Sequence, residues 1–279
     1  MSKPFAFFGT PYVARDTLAL LLDAGYRPEV VITSPDAPRG RGMELTPCET
    51  KVFAQEHGIP VLTPEKLTEE ARTEIAAYHC EYGIVVAYGK ILPQALIDQF
   101  PLGLINVHYS LLPKYRGASP VETALRNGDT ITGVAIQQLV HKLDAGDILA
   151  MREVPILPTE TTKELRPRLI TEGAELLLSM LPSFENETIS RTPQDEALAT
   201  HCGKIEKAEG ELDLTADPVH NWNIYRGLNE SPGTFFFMER AGKRIRVKIK
   251  SATFSNGKFV PDRVVPEGKN EMAYQDLLR

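Results

Sequence analysis

Short apolar runs that alternate with amphipathic stretches over the first two thirds of the chain constrain its fold most strongly. Helical spacing of apolar residues occurs at 13–24 and 51–57, and a serine followed by a proline opens a further helix at 119–127. A long helix is predicted at 161–181. The intervening apolar runs have strand length and lie at 5–8, 28–33, 82–86, 104–108, 132–139 and 148–154. This alternation predicts an α/β fold with a Rossmann-like, mostly parallel sheet and flanking helices, whose ligands bind at the carboxyl ends of the strands.

The last third of the chain has a different period. Ile245, Val247 and Ile249 alternate with basic residues between 244 and 250, which is typical of a half-buried strand with one basic face. Another strand is predicted at 234–238, and short strands with glycine turns favour a small β-barrel or β-sandwich. The stretch around 181–201 is polar and contains two prolines, Pro182 and Pro193. We therefore predict a first domain at 1–182, a linker at 183–203 and a second domain at 204–279.

The charge and the cysteines limit the class of protein. The net charge of −6 is unfavourable for a general nucleic-acid binder, but residues 201–279 carry 13 basic and 11 acidic residues and are mildly basic. Three scattered cysteines do not form a disulfide framework, and no run approaches the roughly 20 apolar residues of a membrane helix. We expect a cytoplasmic protein without a membrane partner.

Three polar side chains form the best candidate for catalysis. Asn106 and His108 lie two residues apart at the end of a predicted strand and therefore point to the same side. Asp144 lies in a polar loop between two further strands, where it can return to the same crevice. An amide and an imidazole can stabilise a developing oxyanion, and a carboxylate can orient the imidazole and relay a proton. The set suits attack on a carbonyl without a covalent intermediate.

Other interpretations of the same residues remain open at this point. Asn106 and His108 can form a purely structural pair, and Asp144 can brace a turn. Histidines and aspartates at 108, 141, 144 and 147 can in principle bind a metal, but their spacing matches no zinc pattern. Ser110 is expected to bond to local backbone. The turn at 9–11 is a poor match to a dinucleotide-binding loop.

The longer string His-Tyr-Ser-Leu-Leu-Pro-Lys-Tyr-Arg-Gly-Ala-Ser-Pro-Val at 108–121 resembles the segment shared by the folate-dependent formyltransferases. Asn106, His108 and Asp144 fall at the positions of that family's catalytic Asn, His and Asp. Within the family, the branch that acts on methionyl-tRNA is the nearest likeness. The segments of this chain that resemble that branch lie at 8–11, 34–42, 51–54, 58–61, 87–93, 199–205, 209–213, 226–233 and 267–272.

The resemblance implies transfer of the formyl group of 10-formyltetrahydrofolate, a co-substrate, to the α-amino group of initiator methionyl-tRNA. It also implies an oligonucleotide-binding (OB)-like barrel after residue 203, a monomer and no metal. By resemblance, the folate-binding residues are Tyr88, Gly89, Ile91, Leu92, Ser110, Leu111, Leu112 and Pro113. The expected tRNA-binding residues are Arg39, Arg41, Lys243, Arg244, Arg246 and Lys248.

Several features leave the acceptor open. The chain departs from the family pattern at Tyr109, at 140–142 and at 229–233, and its C-terminal part is short for the type. The alternatives are a nucleotide-sugar amine N-formyltransferase with the same donor, a formyl-folate hydrolase, and a non-catalytic RNA-binding module. The basic face at 244–250 can equally be an ordinary solvated face, and Tyr88 can be a core residue. The arginine loop at 34–47 favours tRNA.

Overall fold

A computed structural model describes residues 2–39, 42–240 and 242–279, with the side chain of Arg39 left out of the description. Its strands are β1 (Phe5–Gly9), β2 (Val30–Ile32), β3 (Ala37–Arg39), β4 (Glu44–Thr46), β5 (Val61–Leu62), β6 (Tyr82–Val86), β7 (Gly103–His108), β8 (Arg116–Gly117), β9 (Ile131–Gln138), β10 (Ile148–Pro155), β11 (His201–Cys202), β12 (Thr234–Arg240), β13 (Lys243–Ser255), β14 (Lys258–Pro266) and β15 (Met272–Ala273). Its α-helices are α1 (Tyr12–Asp23), α2 (Glu49–Glu56), α3 (Glu69–Ala76), α4 (Gln94–Ile97), α5 (Pro120–Arg126), α6 (Thr162–Glu185), α7 (Pro218–Leu228) and α8 (Tyr274–Leu277). Two 3₁₀ turns lie at Glu196–Leu198 and Lys207–Gly210.

Contacts between residues group the chain into two compact units. The first contains residues up to 116 together with 133–153 and 167–200, and the second contains 117–132, 154–166 and 201–279. The second unit thus draws on two internal segments as well as on the C-terminal part. The division at residues 182 and 204 stays a prediction.

A seven-stranded sheet in the order β10-β9-β7-β6-β1-β2-β5 is the centre of the first unit. The pairs β1–β2, β1–β6, β2–β5 and β6–β7 are parallel, and β7–β9 is antiparallel. The mostly parallel sheet with flanking helices is confirmed. All five residues of β1 and all five of β6 are buried, because helices cover both faces of such a sheet.

Aromatic and aliphatic side chains of the buried strands build the core of the first unit. Phe8 meets Tyr88 and Phe100 edge to face, and Phe5 stacks on Tyr82 with ring centroids 5.3 Å apart. Burying a phenylalanine of this kind contributes roughly 1.5–3 kcal/mol. The strands that carry the polar candidates are thus held in a rigid, closely packed frame.

A four-stranded antiparallel sheet in the order β12-β13-β14-β15 is the centre of the second unit, which confirms a separate C-terminal β structure. Trp222 of α7 stacks on Tyr225 and on Phe254, with centroids 5.5 and 5.9 Å apart. The predicted alternation in β13 is present, since Val247 and Ile249 are buried while the lysines beside them are exposed.

Two sequence expectations need correction. The segment 34–46, predicted as a loop without structure, contains the antiparallel hairpin β3–β4. Each of its strands has three residues, which is too short for a period to appear in the sequence. The long helix is present but extends to Glu185, so the first residues of the predicted linker are helical. Helix α7 and strand β14 were not predicted.

Candidate active site

The candidate catalytic residues lie where three neighbouring strands of the sheet run side by side. In the parallel pair β6–β7, Val85 is opposite Asn106, so the turn that follows β6 leaves the sheet beside Asn106 and His108. In the antiparallel pair β7–β9, Asn106 is opposite Gln137 and His108 is opposite Ala135. Residues directly opposite each other point to the same face of a sheet. The loop between β9 and β10 carries Asp144.

Asn106, His108 and Asp144 converge in the first unit. The Asn106 Nδ2 donates to Asp144 Oδ1 at 3.5 Å, and His108 Nδ1 is 3.7 Å from Asp144 Oδ2. The side chains of His108 and Asp144 are 6% and 11% exposed, so this carboxylate and imidazole face each other largely out of water. Both contacts are at or beyond the long end of a hydrogen bond, which leaves these donors able to turn to a substrate oxygen.

The second nitrogen of His108 determines how the imidazole is protonated. His108 Nε2 lies 2.9 Å from the carbonyl oxygen of Tyr115, which can only accept, so Nε2 carries a proton. The Nδ1 atom then faces the Asp144 carboxylate. Addition of a proton at Nδ1 creates a donor aimed at that carboxylate and at the space beside it.

A bond to the Asp144 carboxylate that is shorter than those of Asn106 and His108 comes from a residue that the sequence analysis did not select. Gln137 Nε2 donates to Asp144 Oδ1 at 2.9 Å, and Gln137 is 2% exposed. The signal that identifies it is the strand register, because Gln137 lies opposite Asn106 on the antiparallel neighbour. That register is a property of the folded sheet and is not visible in one strand alone.

The loop that carries Asp144 has a constrained backbone. Asp144 has φ +47°, a left-handed conformation that non-glycine residues rarely adopt. Gly146 lies against the backbone of β9, since a Cβ at this position would fall 1.7 Å from the carbonyl oxygen of Gln138. Only glycine permits this close approach. The sequence Asp-Ala-Gly-Asp at 144–147 therefore has a structural reason for its glycine.

The predicted folate-binding turn after β6 has both buried and exposed parts. Tyr88 is buried against Phe8, and burial raises the pKa of its hydroxyl to about 12. Its Oη has no hydrogen-bond partner among the described residues. Gly89 has φ +79° with no atom within 4 Å of a hypothetical Cβ, and Ile91 is 82% exposed while Leu92 is buried. The backbone of this turn and the Ile91 side chain are the parts open to a ligand.

The predicted folate-binding residues that follow β7 form a second group. Ser110 is buried and its hydroxyl donates to the Lys114 carbonyl oxygen at 2.5 Å, which is the expected local backbone bond. Leu112 is buried, and Leu111 is partly buried. Leu112 and Pro113 contribute to a cavity of about 410 Å³ that β10 and residues 190–195 complete.

The predicted tRNA-binding residues of β13 form an arginine–aromatic face with β12. The Arg246 guanidinium lies 3.6 Å from the ring centroid of Phe235, and that of Arg244 lies 4.0 Å from Phe237. A cation over an aromatic ring is attracted to the ring face. Lys243 and Lys248 are exposed at the same strand, and Arg244 is 3.6 Å from Glu211.

The arginine loop is described only in part. The backbone of Arg39 ends β3, whereas Arg41 and the Arg39 side chain lie outside the described part of the chain. In the residues that the structure does describe, Lys51 Nζ forms an ion pair with Asp36 at 2.7 Å beside this hairpin.

A metal-binding cluster and a membrane-spanning helix are both absent from the described residues. Among residues 2–39, 42–240 and 242–279, no group of three histidine, cysteine, aspartate or glutamate side chains is arranged to hold a metal ion. Within the same ranges, every helix is too short or too polar to cross a membrane.

A Rossmann-like sheet with an amide, an imidazole and a carboxylate at the ends of its strands is the arrangement of a group-transfer enzyme that acts on a carbonyl. The chain belongs to the formyl transferase family, whose model matches residues 5–181. It is 38% identical over 265 residues to the methionyl-tRNA formyltransferase of Geobacter metallireducens, which covers 95% of this chain and 84% of that protein.

Solved structures agree on the fold. The N-formyltransferase of Helicobacter canadensis, solved with folinic acid and dTDP-3-aminofucose, has a TM-score of 0.69 at 18% identity and covers 91% of this chain and 88% of its own. The methionyl-tRNA formyltransferase of Clostridium thermocellum has a TM-score of 0.63 at 16% identity and covers 95% and 99%. At these identities the likeness concerns the fold alone.

Proposed function

We propose that the protein transfers the formyl group of 10-formyltetrahydrofolate to the α-amino group of methionine on initiator tRNA. The observation that carries this proposal is the convergence of Asn106, His108 and Asp144 at the strand ends. The chain that carries these residues is 38% identical, over nearly its whole length, to a methionyl-tRNA formyltransferase.

The site residues have distinct roles in this reaction. The acceptor amine attacks the formyl carbon, and the carbonyl oxygen gains negative charge as a tetrahedral intermediate forms. Asn106 Nδ2 and a protonated His108 Nδ1 donate hydrogen bonds to that oxygen when they turn from Asp144. The intermediate collapses by cleavage of the bond between the formyl carbon and N10 of the folate.

Asp144 accepts the proton that the attacking nitrogen loses. The attacking nitrogen becomes cationic and loses a proton to the carboxylate, directly or through a water, and the departing N10 gains one. The number of protons is therefore conserved over the transfer. A free α-amino group has a pKa of roughly 8, so a weak base suffices. No serine or cysteine nucleophile is needed in this sequence of steps.

The folate co-substrate fits the polar and apolar groups near these residues. The turn at 87–89 leaves β6 beside Asn106, and its backbone is assigned to hydrogen bonds with a pterin ring, although the Tyr88 carbonyl oxygen already accepts from the Thr10 hydroxyl. Ile91 presents an exposed apolar side chain, and the Tyr88 hydroxyl is a buried polar group without a described partner. The tetrahydrofolate supplies the activated formyl group, and the segment Ser110–Pro113 is assigned to its other side by resemblance.

The arginine–aromatic face of β12 and β13 is assigned to tRNA. Arg244, Arg246 and Lys248 give one face of β13 three positive charges within a chain of net charge −6, and Lys243 begins the same strand. Backbone phosphates bind such a face through sequence-independent electrostatics. Arg39 and Arg41 are assigned to the end of the acceptor stem. We further propose a cytoplasmic monomer, as befits an enzyme that serves translation.

A nucleotide-sugar amine is the alternative acceptor. The H. canadensis enzyme, crystallised with an aminosugar nucleotide, has a TM-score of 0.69 to this chain. The same three residues and the same donor serve either acceptor. The two candidate functions differ in the use of the arginine loop and of the basic face, which a small sugar nucleotide does not need.

A parallel transfer assay with 10-formyltetrahydrofolate tests the proposal. Methionyl initiator tRNA, methionyl elongator tRNA and a 4-amino-sugar nucleotide are offered to the same enzyme preparation, with buffer alone as the control for hydrolysis. Selective formylation of the initiator tRNA is expected. Formylation of the sugar alone overturns the tRNA assignment, and release of formate without an acceptor indicates a hydrolase.

A further inference from the structure

The loop that carries Asp144 is held by a side chain from a distant part of the first unit. Gln194 Nε2 donates to the carbonyl oxygens of Asp144 at 2.9 Å and of Gly146 at 2.7 Å. A primary amide nitrogen has two hydrogens, so both bonds form at once. The left-handed backbone of Asp144 is thus tied down directly at its own carbonyl and again two residues later.

Arg116 fixes which way the Gln194 amide points. Gln194 Oε1 accepts from Arg116 Nε at 3.0 Å and from Nη2 at 2.8 Å. A guanidinium only donates, so the amide oxygen must face Arg116 and the amide nitrogen must face the loop. Arg116 has no exposed surface; its Nη2 also donates to Glu196 Oε1 at 3.0 Å, and its Nη1 donates to Glu196 Oε2 at 3.2 Å.

A second amide fixes the carboxylate itself. Gln137 Nε2 lies 2.9 Å from Asp144 Oδ1, whereas Asn106 Nδ2 is 3.5 Å from the same oxygen. His108 Nδ1 is 3.7 Å from Oδ2. The shortest of these three contacts therefore comes from a residue outside the reacting trio, and it holds the carboxylate while Asn106 and His108 remain able to turn to substrate. The two amides also approach each other, with Gln194 Nε2 at 3.4 Å from Gln137 Oε1.

We propose that Gln137 and Gln194 are positioning residues for the transfer reaction, with Gln194 setting the backbone of the Asp144 loop and Gln137 setting its carboxylate. The proposal rests on the proposed function, in that Asp144 must be the proton-handling group. Neither glutamine touches the reacting atoms. A displacement of a catalytic group by about 1 Å can lower the rate of the chemical step about 100-fold. Loss of the hydrogen bonds of either glutamine should therefore lower kcat.

Gln138 provides a matched control. It is the same residue type on the same strand, and its Nε2 donates to the Leu102 and Leu104 carbonyl oxygens at 3.4 and 3.1 Å. Its side chain thus forms two backbone bonds, and neither of them goes to Asp144. If the loss of glutamine hydrogen bonds matters only for stability, Gln138→Met and Gln137→Met should have effects of the same size.

The experiment compares kcat, KM for each substrate and melting temperature for wild type, Gln137→Met, Gln194→Met, their double variant and Gln138→Met. We expect kcat to fall about 10- to 100-fold in both single variants, with both KM values within about two-fold of wild type. The kcat of the double variant should lie within about two-fold of the kcat of the slower single variant, because both amides position the same group. Gln138→Met should keep its kcat.

Three outcomes overturn the positioning role: unchanged kcat in both single variants, an equal fall in Gln138→Met, or a double variant whose losses multiply. Gln194→Asn keeps both donors on a shorter side chain, and its kcat should lie between those of wild type and Gln194→Met. This variant separates the contribution of the hydrogen bonds from that of side-chain packing. If wild type formylates a sugar amine instead, the tRNA assignment fails but the same ratios, measured with that acceptor, still decide the role of the glutamines.

Discussion

At the scale of single residues, the candidate site depends on a few polar atoms with little access to water. His108 has one nitrogen committed to the Tyr115 carbonyl oxygen and the other directed at Asp144. The Nε2 bond therefore orients the ring before substrate arrives, while the longer contact at Nδ1 leaves that atom able to reach a substrate oxygen. Single substitutions at this site are informative because the ring is held in this way.

Replacement of His108 by Gln or of Asp144 by Asn should lower kcat about 100- to 10,000-fold, because each change removes a proton donor or acceptor from the reacting centre. Binding of initiator tRNA should stay within about three-fold of wild type, since neither residue lies on the basic face. A filter-binding measurement beside the transfer assay checks both statements. Full activity in either variant removes that residue from the catalytic set.

Glu196 gives a pH-dependent contribution of known sign. Hydrogen bonds from Arg116, and then from Lys142, lower its pKa from 4.5 to about 2. A carboxyl whose folded-state pKa is depressed stabilises the fold above its unfolded pKa and loses that contribution as pH falls through the folded value. The stabilisation is thus fully present above about pH 5 and disappears toward pH 2.

Unfolding of wild type and of Glu196→Gln between pH 7 and pH 2 tests this sign. The difference in their free energy of unfolding should be constant above about pH 5 and should shrink as the pH approaches 2. A difference that grows on acidification contradicts the assigned cause. The side chain is 56% exposed, so solvent screening keeps the difference small.

At the scale of elements, the basic strand is the feature whose role is most open to test. Strand β13 has the alternation that the sequence predicts, with its apolar side buried and its basic side outward. The stacking of Arg244 and Arg246 on two phenylalanines of β12 was not predicted, because it depends on the antiparallel register of the two strands.

Charge removal on this strand should weaken tRNA use without affecting chemistry. Arg244→Gln and Lys248→Gln should each raise KM for initiator tRNA about two- to five-fold and reduce the slope of log affinity against log salt by about 1, with kcat unchanged. Lys66→Gln, an exposed change of equal charge in the first unit, is the control. Equal effects at Lys66 indicate a general charge effect rather than a binding face.

At the scale of the whole molecule, the three cysteines report on the integrity of the fold. Cys48, Cys80 and Cys202 form no disulfide within the described part of the chain and are buried, at 3%, 8% and 7% exposure. Burial also raises the pKa of the Cys80 thiol to about 12, which keeps it protonated and unreactive near neutral pH. The chain therefore carries thiols in both units that are protected as long as the units stay folded.

Titration with a thiol reagent at pH 8 should label fewer than one thiol per folded molecule and all three after unfolding in guanidinium chloride. The rate of labelling should follow the loss of secondary structure across the denaturation curve, because opening of the core is required for access. Rapid labelling of the native protein means that one of the cysteines is exposed by local opening, and mass spectrometry of the labelled peptide then identifies it.

The sequence by itself determined the fold class and the identity of the candidate catalytic trio. Local hydrophobic periodicity is sufficient to recognise buried strands, amphipathic helices and the basic face of β13, because each depends on neighbours in the chain. The motif at 106–121 and Asp144 could be selected because their spacing resembles that of a known family.

Only the tertiary structure decided how these residues are held. Gln194 bonds to Arg116, to Gln137 and to the Asp144 loop across 48 to 78 residues of chain. Such contacts come from strand register and from the path of residues 186–200, neither of which has a local sequence signal. The physical reason is that periodicity encodes which face of an element is buried, whereas the partner that it meets is fixed by long-range packing.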